Sequence, residues 1–173
     1  RQRREDYGDV FAPVSRFVTF RLLLILAMQK GWVVKQADIK QAFVNAPVPD
    51  DVNIYVSCPP GYARPGYVMR CKKYCYGLHE SPTAFNRCFV DWITSQGFKQ
   101  SKIDECLFYN GEMYVCLYVD DILYTGSEKH VAEFLVKLKK KFAITDLGTA
   151  ETFLGIEIER TAETVVLHQR KYL

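Results

Sequence analysis

The sequence predicts an α+β fold, in which strands and helices interleave and at least part of the sheet is antiparallel. Three observations support this class. Apolar residues recur at helical spacing after Ser15, Ser81 and Ser127. Apolar and polar residues alternate over 52–56, which is typical of a half-buried strand. The dipeptide at 110–111, Asn-Gly, lies between two apolar segments and favours a two-residue hairpin turn.

The first half of the chain is expected to contain one helix and three strands. Ser15 is a candidate cap for a helix that runs to about Lys30 and ends at Gly31. The apolar segment within this helix covers most of its circumference, so the helix should be buried. A strand, a tight turn or short helix, and two short strands follow at Trp32–Ala37, 39–43, 52–56 and 67–71.

The second half is expected to contain two helices and a series of strands. Ser81-Pro82 begins a helix that ends at Gly97, because Ser favours the cap and Pro the first helical position. Ser127 begins another helix with one apolar face. Strands are expected at 106–109, 113–119, 122–125, 152–159 and 165–168, with turns at 110–111 and 120–121.

Length and composition are those of one globular domain. The chain has 173 residues, of which 49% are hydrophobic and 25% charged; a domain typically takes ~100–200 residues. A chain of this size buries roughly 70% of its unfolded surface, so its core needs no disulfide or metal. The net charge of +3 permits nucleic-acid binding without being a signature of it.

Membrane insertion and secretion are not expected. The longest apolar run, Leu22–Met28, is far shorter than the ~20 apolar residues of a membrane span. The first residues do not resemble a signal peptide, so the six cysteines are expected to be reduced thiols. Because the first residue is Arg rather than Met, we expect the chain to be a piece of a longer or processed protein.

Three aspartates are the most informative residues. Asp120 and Asp121 lie between apolar segments, and a divalent cation would remove the repulsion between adjacent carboxylates. Asp38 follows an apolar strand of its own. If the two strands are neighbours, only one aspartate of the pair should face Asp38, and we expect Asp120 to do so. Carboxylates that hold two Mg²⁺ ions from separate strands suit in-line phosphoryl transfer. A solvated turn remains the alternative.

Seven short motifs occur along the chain, at Phe11–Arg16, Asp38–Phe43, Pro59–Tyr62, Tyr76–Pro82, Tyr118–Asp121, Asp146–Gly148 and Phe153–Ile156. In their order and spacing they resemble the reverse transcriptase domain of a copia-type LTR retrotransposon, which is an RNA-directed DNA polymerase. The resemblance extends over nearly the whole chain. It implies a polymerase palm, an antiparallel sheet backed by helices, with a partial fingers lobe.

The resemblance also implies roles for individual residues. The catalytic and metal-binding groups would be three aspartates and one backbone carbonyl: Asp38, Asp120, Asp121 and Ile39. They would hold two Mg²⁺ ions, which Mn²⁺ can replace. Nucleotide binding would involve Ile39, Phe43, whose ring leaves no room for a 2′-hydroxyl, and Glu80, where the family usually has Gln. Primer-binding residues would be Tyr118, Phe153, Leu154 and Gly155.

The implied domain is a fragment covering residues 1–173, with fingers elements at about 1–31 and 45–75 and palm elements at about 32–44 and 76–173. The thumb and RNase H are not expected in it, nor is the family's basic strand that precedes the Asp6-Tyr7 region. Arg1, Arg3 and Arg4 would be only the downstream flank of that strand.

The expected partners are an RNA or DNA template with a primer, a dNTP, and the integrase and RNase H segments of the same polyprotein. No membrane partner is expected. The expected location is an intracellular particle in the cytoplasm, or the nucleus. An inactive or co-opted remnant that binds nucleic acid or a protein is the alternative function, and Glu80 favours it. A structural domain with a satisfied metal site is a third interpretation.

For several other residues, a functional and a structural interpretation both remain open. A zinc site formed by Cys58, Cys71, Cys75 and His79 is disfavoured by its spacing, and thiols packed as small apolar groups are preferred. The lysines of 137–141 could follow a nucleic-acid backbone or form a solvated helix end. Of Tyr55, Tyr62, Tyr67 and Tyr74, at most one is expected to stack on a base and the others to pack on the sheet.

Overall fold

The structure is a computed structural model that describes residues 12–161 and 163–172. The Asp6-Tyr7 region and the arginines at positions 1, 3 and 4 therefore lie outside the described residues. The chain divides into two compact units, one containing Gln41–Phe89 and the other containing Pro13–Lys40 and the residues from Val90 onward. The expected limits of the fingers and palm elements stay a prediction.

Three α-helices and eleven strands lie within the described residues. The helices are α1 (Phe17–Gln29), α2 (Ser81–Ser95) and α3 (Glu128–Lys141). The strands are β1 (Val33–Ile39), β2 (Tyr55–Val56), β3 (Met69–Arg70), β4 (Lys99–Gln100), β5 (Leu107–Tyr109), β6 (Met113–Tyr118), β7 (Asp121–Gly126), β8 (Ile144–Thr149), β9 (Thr152–Phe153), β10 (Ile156–Arg160) and β11 (Val165–His168).

The larger unit is built on a six-stranded sheet with the order β4-β5-β6-β7-β1-β8. Every neighbouring pair in this sheet is antiparallel. Strands β6, β7 and β1 occupy the middle, where they are mostly buried. The chain is therefore α+β with an antiparallel sheet, which confirms the predicted fold class.

The two faces of this sheet are covered by different helices. Val34, Cys116 and Leu123 belong to a buried cluster that also contains one face of α1 and residues of β9 and β10. The expectation that α1 is buried was wrong for its other face, where apolar side chains such as Leu22 are exposed. Successive strand residues point to opposite faces, so Tyr124 points away from this cluster. The Tyr124 ring centroid lies 5.3 Å from that of Phe134 in α3. Burial on both faces gives close packing around the central strands.

The N-terminus of α1 differs from the prediction. The Arg16 backbone N–H and the Thr19 hydroxyl donate to the Asp104 carboxylate. Ser15 does not cap the helix, because its hydroxyl is hydrogen-bonded to the Cys116 sulfur at 2.9 Å. A carboxylate far away in the sequence thus satisfies the free N–H group of the N-cap residue, Arg16. By contrast, Ser127 accepts a hydrogen bond from the His130 N–H, which confirms the predicted cap of α3.

Two strands of the sheet were not predicted from the sequence, and one turn lies at a different position from the predicted one. Strand β8 is mostly exposed and contains Gly148, so it lacks the alternation that reveals a strand. Strand β4 has only two residues. The turn between β6 and β7 is formed by Val119 and Asp120, since Tyr118 pairs with Asp121. The prediction had placed it one residue later.

Strands β9, β10 and β11 form a separate three-stranded sheet in the larger unit. Phe153 pairs with Ile156, so Leu154 and Gly155 form the two-residue turn between β9 and β10. Both turn residues have positive φ, at 52° and 75°. Two positive φ values are typical of the tight hairpin turn whose twist matches the flanking strands.

The smaller unit contains a 3₁₀ helix at Ala42–Asn45, the β2–β3 hairpin and the first part of α2. Only two residues of each predicted strand are paired, so most of this segment is irregular. Ile54 is buried, and its carbonyl accepts from the Cys71 N–H at 2.8 Å. The expectation that most tyrosines of this segment pack on the sheet was wrong, because Tyr55, Tyr62 and Tyr67 are exposed.

Among the described residues, no helix combines the length and the apolar composition that crossing a membrane requires.

Candidate active site

Asp38 and Asp121 lie directly opposite each other on neighbouring strands. Asp38 is the penultimate residue of β1, Asp121 is the first residue of β7, and the two are register partners. Directly opposite residues of an antiparallel pair point to the same face of the sheet. The expectation that Asp120 faces Asp38 was wrong, because the turn ends one residue earlier than predicted and Asp121 takes that position.

The tight turn holds Asp120 beside the end of β1. The Asp120 carbonyl accepts a hydrogen bond from the Ile39 N–H at 2.9 Å, which extends the β1–β7 pairing past the last register pair. Val119, which precedes Asp120 in the turn, has a φ of 58°. A β-branched residue rarely adopts this conformation, so the surrounding strands must hold it there.

The three carboxylates repel one another electrostatically. Burial raises the pKa of Asp121, and the negative charges of Asp120 and Asp38 raise it further. A hydrogen bond from the Gln36 side chain acts in the opposite direction but does not cancel these effects. Within residues 12–161 and 163–172, no ion pair joins any of the three aspartates to a basic side chain. A bound cation would relieve this repulsion.

The aspartates do not form a complete metal-ligand cluster by themselves. No group of three or more His, Cys, Asp or Glu side chains suited to a metal ion occurs in the described part of the chain. Mg²⁺ is commonly held by only one or two carboxylates, while water and substrate phosphates supply the other oxygens. The Asp38–Asp121 pair, with Asp120 adjacent, fits that donor set because all its groups are hard oxygen ligands.

Sequence reasoning did not identify Gln36 as a site residue. It is buried on β1, two residues before Asp38, and so it lies on the same face of the strand. Its hydrogen bond to Asp121 positions that carboxylate. The two-residue spacing between Gln36 and Asp38, which puts both side chains on one face of the strand, is the signal that could have revealed it.

Two predicted nucleotide-binding residues belong to the smaller unit. The Phe43 ring lies 4.6 Å from the Tyr76 ring and 6.5 Å from the Phe85 ring, centroid to centroid. Phe43 is half-buried, so part of the ring remains accessible. Glu80 is also half-buried, and its negative charge adds to the effect of burial in raising the pKa of Tyr74. Their roles in nucleotide binding stay predictions.

The predicted primer-binding residues differ in accessibility. Phe153 is 0% exposed, and its ring stacks on that of Phe20 with centroids 5.3 Å apart. Its side chain therefore packs in the core. Tyr118 and Leu154 are partly buried against the same core, and Gly155 is exposed. Of these four residues, the Leu154-Gly155 turn offers the most accessible backbone for a primer strand. The primer role itself stays a prediction.

The six cysteines are free thiols. Burial raises the pKa of both Cys106 and Cys116 to about 12, so these two thiols are protonated at neutral pH. Burial and the neighbouring Cys75 raise the pKa of Cys71. These thiols behave as small packing groups rather than as nucleophiles.

At least one lysine at the end of α3 has a structural role. Lys139 donates to the Asp146 carboxylate of β8 at 3.1 Å. The last turn of the helix carries Lys139, Lys140 and Lys141, where the helix dipole favours cations. The solvated-face interpretation therefore accounts for part of this cluster.

Comparison with known proteins identifies similar sequences over the whole chain. A family model described as "Reverse transcriptase (RNA-dependent DNA polymerase)" matches residues 1–173. Two relatives from Arabidopsis thaliana, the retrovirus-related Pol polyproteins from transposons RE1 and RE2, are each 34% identical over 97% and 96% of this chain. The Pol polyprotein from transposon TNT 1-94 of Nicotiana tabacum is 32% identical over 97% of the chain.

The chain spans only 12% of the length of the RE1 and RE2 polyproteins and 13% of the TNT 1-94 polyprotein. Among solved structures, an apo telomerase from Candida tropicalis matches 90% of this chain and 40% of its own chain. Its TM-score is 0.51 at 13% sequence identity, which is a likeness of fold.

Proposed function

Since the chain belongs to the reverse transcriptase (RNA-dependent DNA polymerase) family, we propose that it performs RNA-directed DNA synthesis with Asp38, Asp120 and Asp121 as its catalytic residues. The observation that carries this proposal is the register pairing of Asp38 with Asp121 beside the Asp120 turn. Three carboxylates at one end of a buried antiparallel sheet are costly unless they bind cations.

In this reaction the 3′-hydroxyl of a primer attacks the α-phosphate of a dNTP. A new bond forms between the hydroxyl oxygen and the α-phosphorus, and the hydroxyl proton is released to solvent. The bond from the α-phosphorus to the oxygen that bridges the α- and β-phosphates breaks, and pyrophosphate leaves. Two bound Mg²⁺ ions would lower the pKa of the attacking hydroxyl and stabilise the leaving oxygens. Asp38, Asp120 and Asp121 would hold them, together with the Ile39 carbonyl, and Mn²⁺ would serve as a substitute.

The structure of the larger unit supports the positioning role of these residues. Strands β1, β6 and β7 are packed on both faces, so the carboxylates rest on a rigid support. Gln36 would orient Asp121 through its hydrogen bond. The template, the primer and other segments of a transposon polyprotein would be the partners, inside an intracellular particle or the nucleus.

Primer extension tests this proposal. The 173-residue chain is incubated with poly-rA, oligo-dT, dTTP and Mg²⁺, and Asp120→Asn is compared with Asp91→Asn, an exposed aspartate of α2. Extension should be abolished in Asp120→Asn and retained in Asp91→Asn, with both variants folded. An Asp120→Asn protein that keeps most of the wild-type rate would contradict the assignment of this aspartate.

The same assay tests the proposed sugar selection by Phe43. Replacing the ring by Ala should let ribonucleotides enter, because the space beneath the sugar would no longer be filled. The measurement is the ratio of rNTP to dNTP incorporation. An unchanged ratio in a folded Phe43→Ala protein would rule out this role.

A second candidate function is favoured by one residue. Glu80 puts a carboxylate where the family usually has Gln, and its negative charge opposes binding of phosphate. If the chain is a remnant that binds nucleic acid without polymerising, template–primer should bind while extension is absent. Glu80→Gln should then restore extension if this charge alone blocks it.

A further inference from the structure

Residues 52–79 of the smaller unit concentrate positive charge. This segment, which includes β2 and β3 and is called here the basic hairpin, contains four Lys or Arg residues and no Asp or Glu: Arg64, Arg70, Lys72 and Lys73. The whole chain has 23 basic and 20 acidic residues, so its net charge of +3 becomes −1 when these four are left out. The segment itself carries a charge of +4, and Asp51 and Glu80 lie directly before and after it in the sequence.

The basic hairpin also presents tyrosine rings to solvent. Every residue from 61 to 70 is exposed, and Tyr62 and Tyr67 have 76% and 70% of their surface accessible. A tyrosine that serves only folding usually buries most of its ring, since the ring supplies much of the gain in packing. These two rings make no such contribution.

Local hydrogen bonds fix the backbone that carries the two rings. The Tyr62 N–H donates to the Pro59 carbonyl at 3.0 Å, and the Tyr67 N–H donates to the Arg64 carbonyl at 3.1 Å. The Cys58 thiol donates to the Tyr67 carbonyl at 3.8 Å, linking the two arms. Each ring thus projects from a defined turn, and Arg64 lies in the same turn as Tyr67.

We propose that the basic hairpin binds an unpaired strand of nucleic acid, with Tyr62 and Tyr67 stacking on bases and with Arg64 and Lys72 facing phosphates. The four basic side chains of the segment favour an anionic ligand. Its exposed tyrosine rings favour a ligand with flat faces, because such rings gain energy by stacking. Single strands offer both, whereas a duplex hides its base faces. The inference rests on the proposed function, in which this strand would be the unpaired part of the template.

Fluorescence anisotropy tests the inference without polymerisation. Labelled oligo-rU and oligo-dT of roughly 16 nucleotides, the upper end of single-strand site sizes, and a blunt duplex are titrated with the whole chain in EDTA. The double variant Tyr62→Ala/Tyr67→Ala should bind the single strands on the order of tenfold more weakly. Tyr62→Phe/Tyr67→Phe keeps both rings and should bind about as tightly as the wild type. Comparing the affinities for oligo-rU and oligo-dT shows whether the bound single strand is RNA or DNA.

The salt dependence tests the charge contribution separately. Arg64→Ala/Lys72→Ala should reduce the slope of log K against log salt by about 1.4, because each phosphate contact on a single strand contributes about 0.7. Lys99→Ala/Lys102→Ala removes the same charge from exposed positions in the larger unit. This control should leave the slope unchanged.

Two results would overturn the inference. Unchanged single-strand binding by the Tyr62→Ala/Tyr67→Ala variant would exclude stacking, even if the charge variant binds more weakly, and would point to a non-specific polyanion site. Equal or tighter binding of the duplex would exclude a surface for unpaired bases. Neither result depends on catalysis. A chain that binds through its tyrosines but cannot extend a primer would refute only the proposed polymerase function.

Discussion

The β6–β7 and β2–β3 hairpins are opposite in burial and in charge. The β6–β7 hairpin has buried apolar arms, and its tip carries Asp120 and Asp121. The β2–β3 hairpin pairs over only two residues on each strand, is largely exposed and carries an excess of positive charge. Both are antiparallel hairpins, so secondary structure alone does not distinguish their roles.

The difference indicates two ways of placing charge. At the β6–β7 tip, packed strands hold like charges close together, and the raised pKa of Asp121 records the free-energy cost of doing so. At the β2–β3 hairpin, the charged groups remain solvated and are held by turns rather than by packing. The first arrangement suits a site that binds cations in fixed positions. The second suits a surface that contacts a flexible polyanion.

The largest expected effect concerns the stability of the two hairpins. Leu123→Ala removes a fully buried side chain of β7 and should lower the free energy of unfolding by about 3 kcal/mol. Tyr67→Ala removes a larger but exposed side chain and should change it by less than ~0.5 kcal/mol. Urea denaturation measures both. Equal losses in the two variants would contradict the contrast between a packed and a solvated hairpin.

A smaller effect is expected for the carboxylate that supports α1. Asp104 is buried and accepts hydrogen bonds from the Arg16 N–H, the Thr19 hydroxyl and the Cys106 N–H. Asp104→Ala leaves these donors without a partner and should cost about 2 kcal/mol of unfolding free energy. The exposed Asp91 provides the control, and Asp91→Ala should have little effect. If Asp104→Ala unfolds at the same denaturant concentration as wild type, this hydrogen-bond network does not stabilise the start of α1.

The smallest expected effect is on the pH dependence of folding stability, to which two aspartates contribute with opposite signs. The pKa of Asp121 is raised above its ordinary value of 3.8 by burial and by Asp120 and Asp38. Burial also tends to raise the pKa of Asp146, but hydrogen bonds from Gly148 and Lys139 outweigh it and leave that pKa lowered. In the folded state, ionisation therefore costs stability at Asp121 and adds stability at Asp146.

Thermal unfolding in EDTA as a function of pH measures the contributions of both aspartates to stability. For Asp121 the penalty appears as pH rises through its folded pKa, so Asp121→Asn should raise the Tm at neutral pH but not below pH 3.8. For Asp146 the contribution is lost as pH falls through its folded pKa, so Asp146→Asn should lower the Tm at neutral pH only. Shifts of the same sign in the two variants would contradict the electrostatic account.

Much of the candidate site could be predicted from the sequence because the relevant signals are local. The apolar segment before Asp38 and the apolar segments on either side of Asp120 and Asp121 each predict a strand that ends or turns at a carboxylate. The cap of α3 by Ser127 follows from one residue and its neighbours. These features need no information about distant parts of the chain.

The remaining features depend on tertiary contacts. Which aspartate faces Asp38 is set by the exact position of the two-residue β6–β7 turn, and a shift of one residue moves a side chain to the other face. The capping of α1 by Asp104 joins residues that are 88 positions apart. Phe153 was assigned to primer binding by resemblance, yet its ring is buried against Phe20. Burial of a motif residue cannot be read from the motif itself.

Metal binding by the aspartates is the central claim, and a Mn²⁺ titration followed by electron paramagnetic resonance of the free ion tests it most directly. Wild type and Asp91→Asn should remove free Mn²⁺ from solution equally, and excess Mg²⁺ should displace it. The Asp38→Asn/Asp121→Asn variant, which removes the register pair, should lose this binding while remaining folded. Undiminished Mn²⁺ binding by that variant would contradict the claim that these aspartates form the metal site.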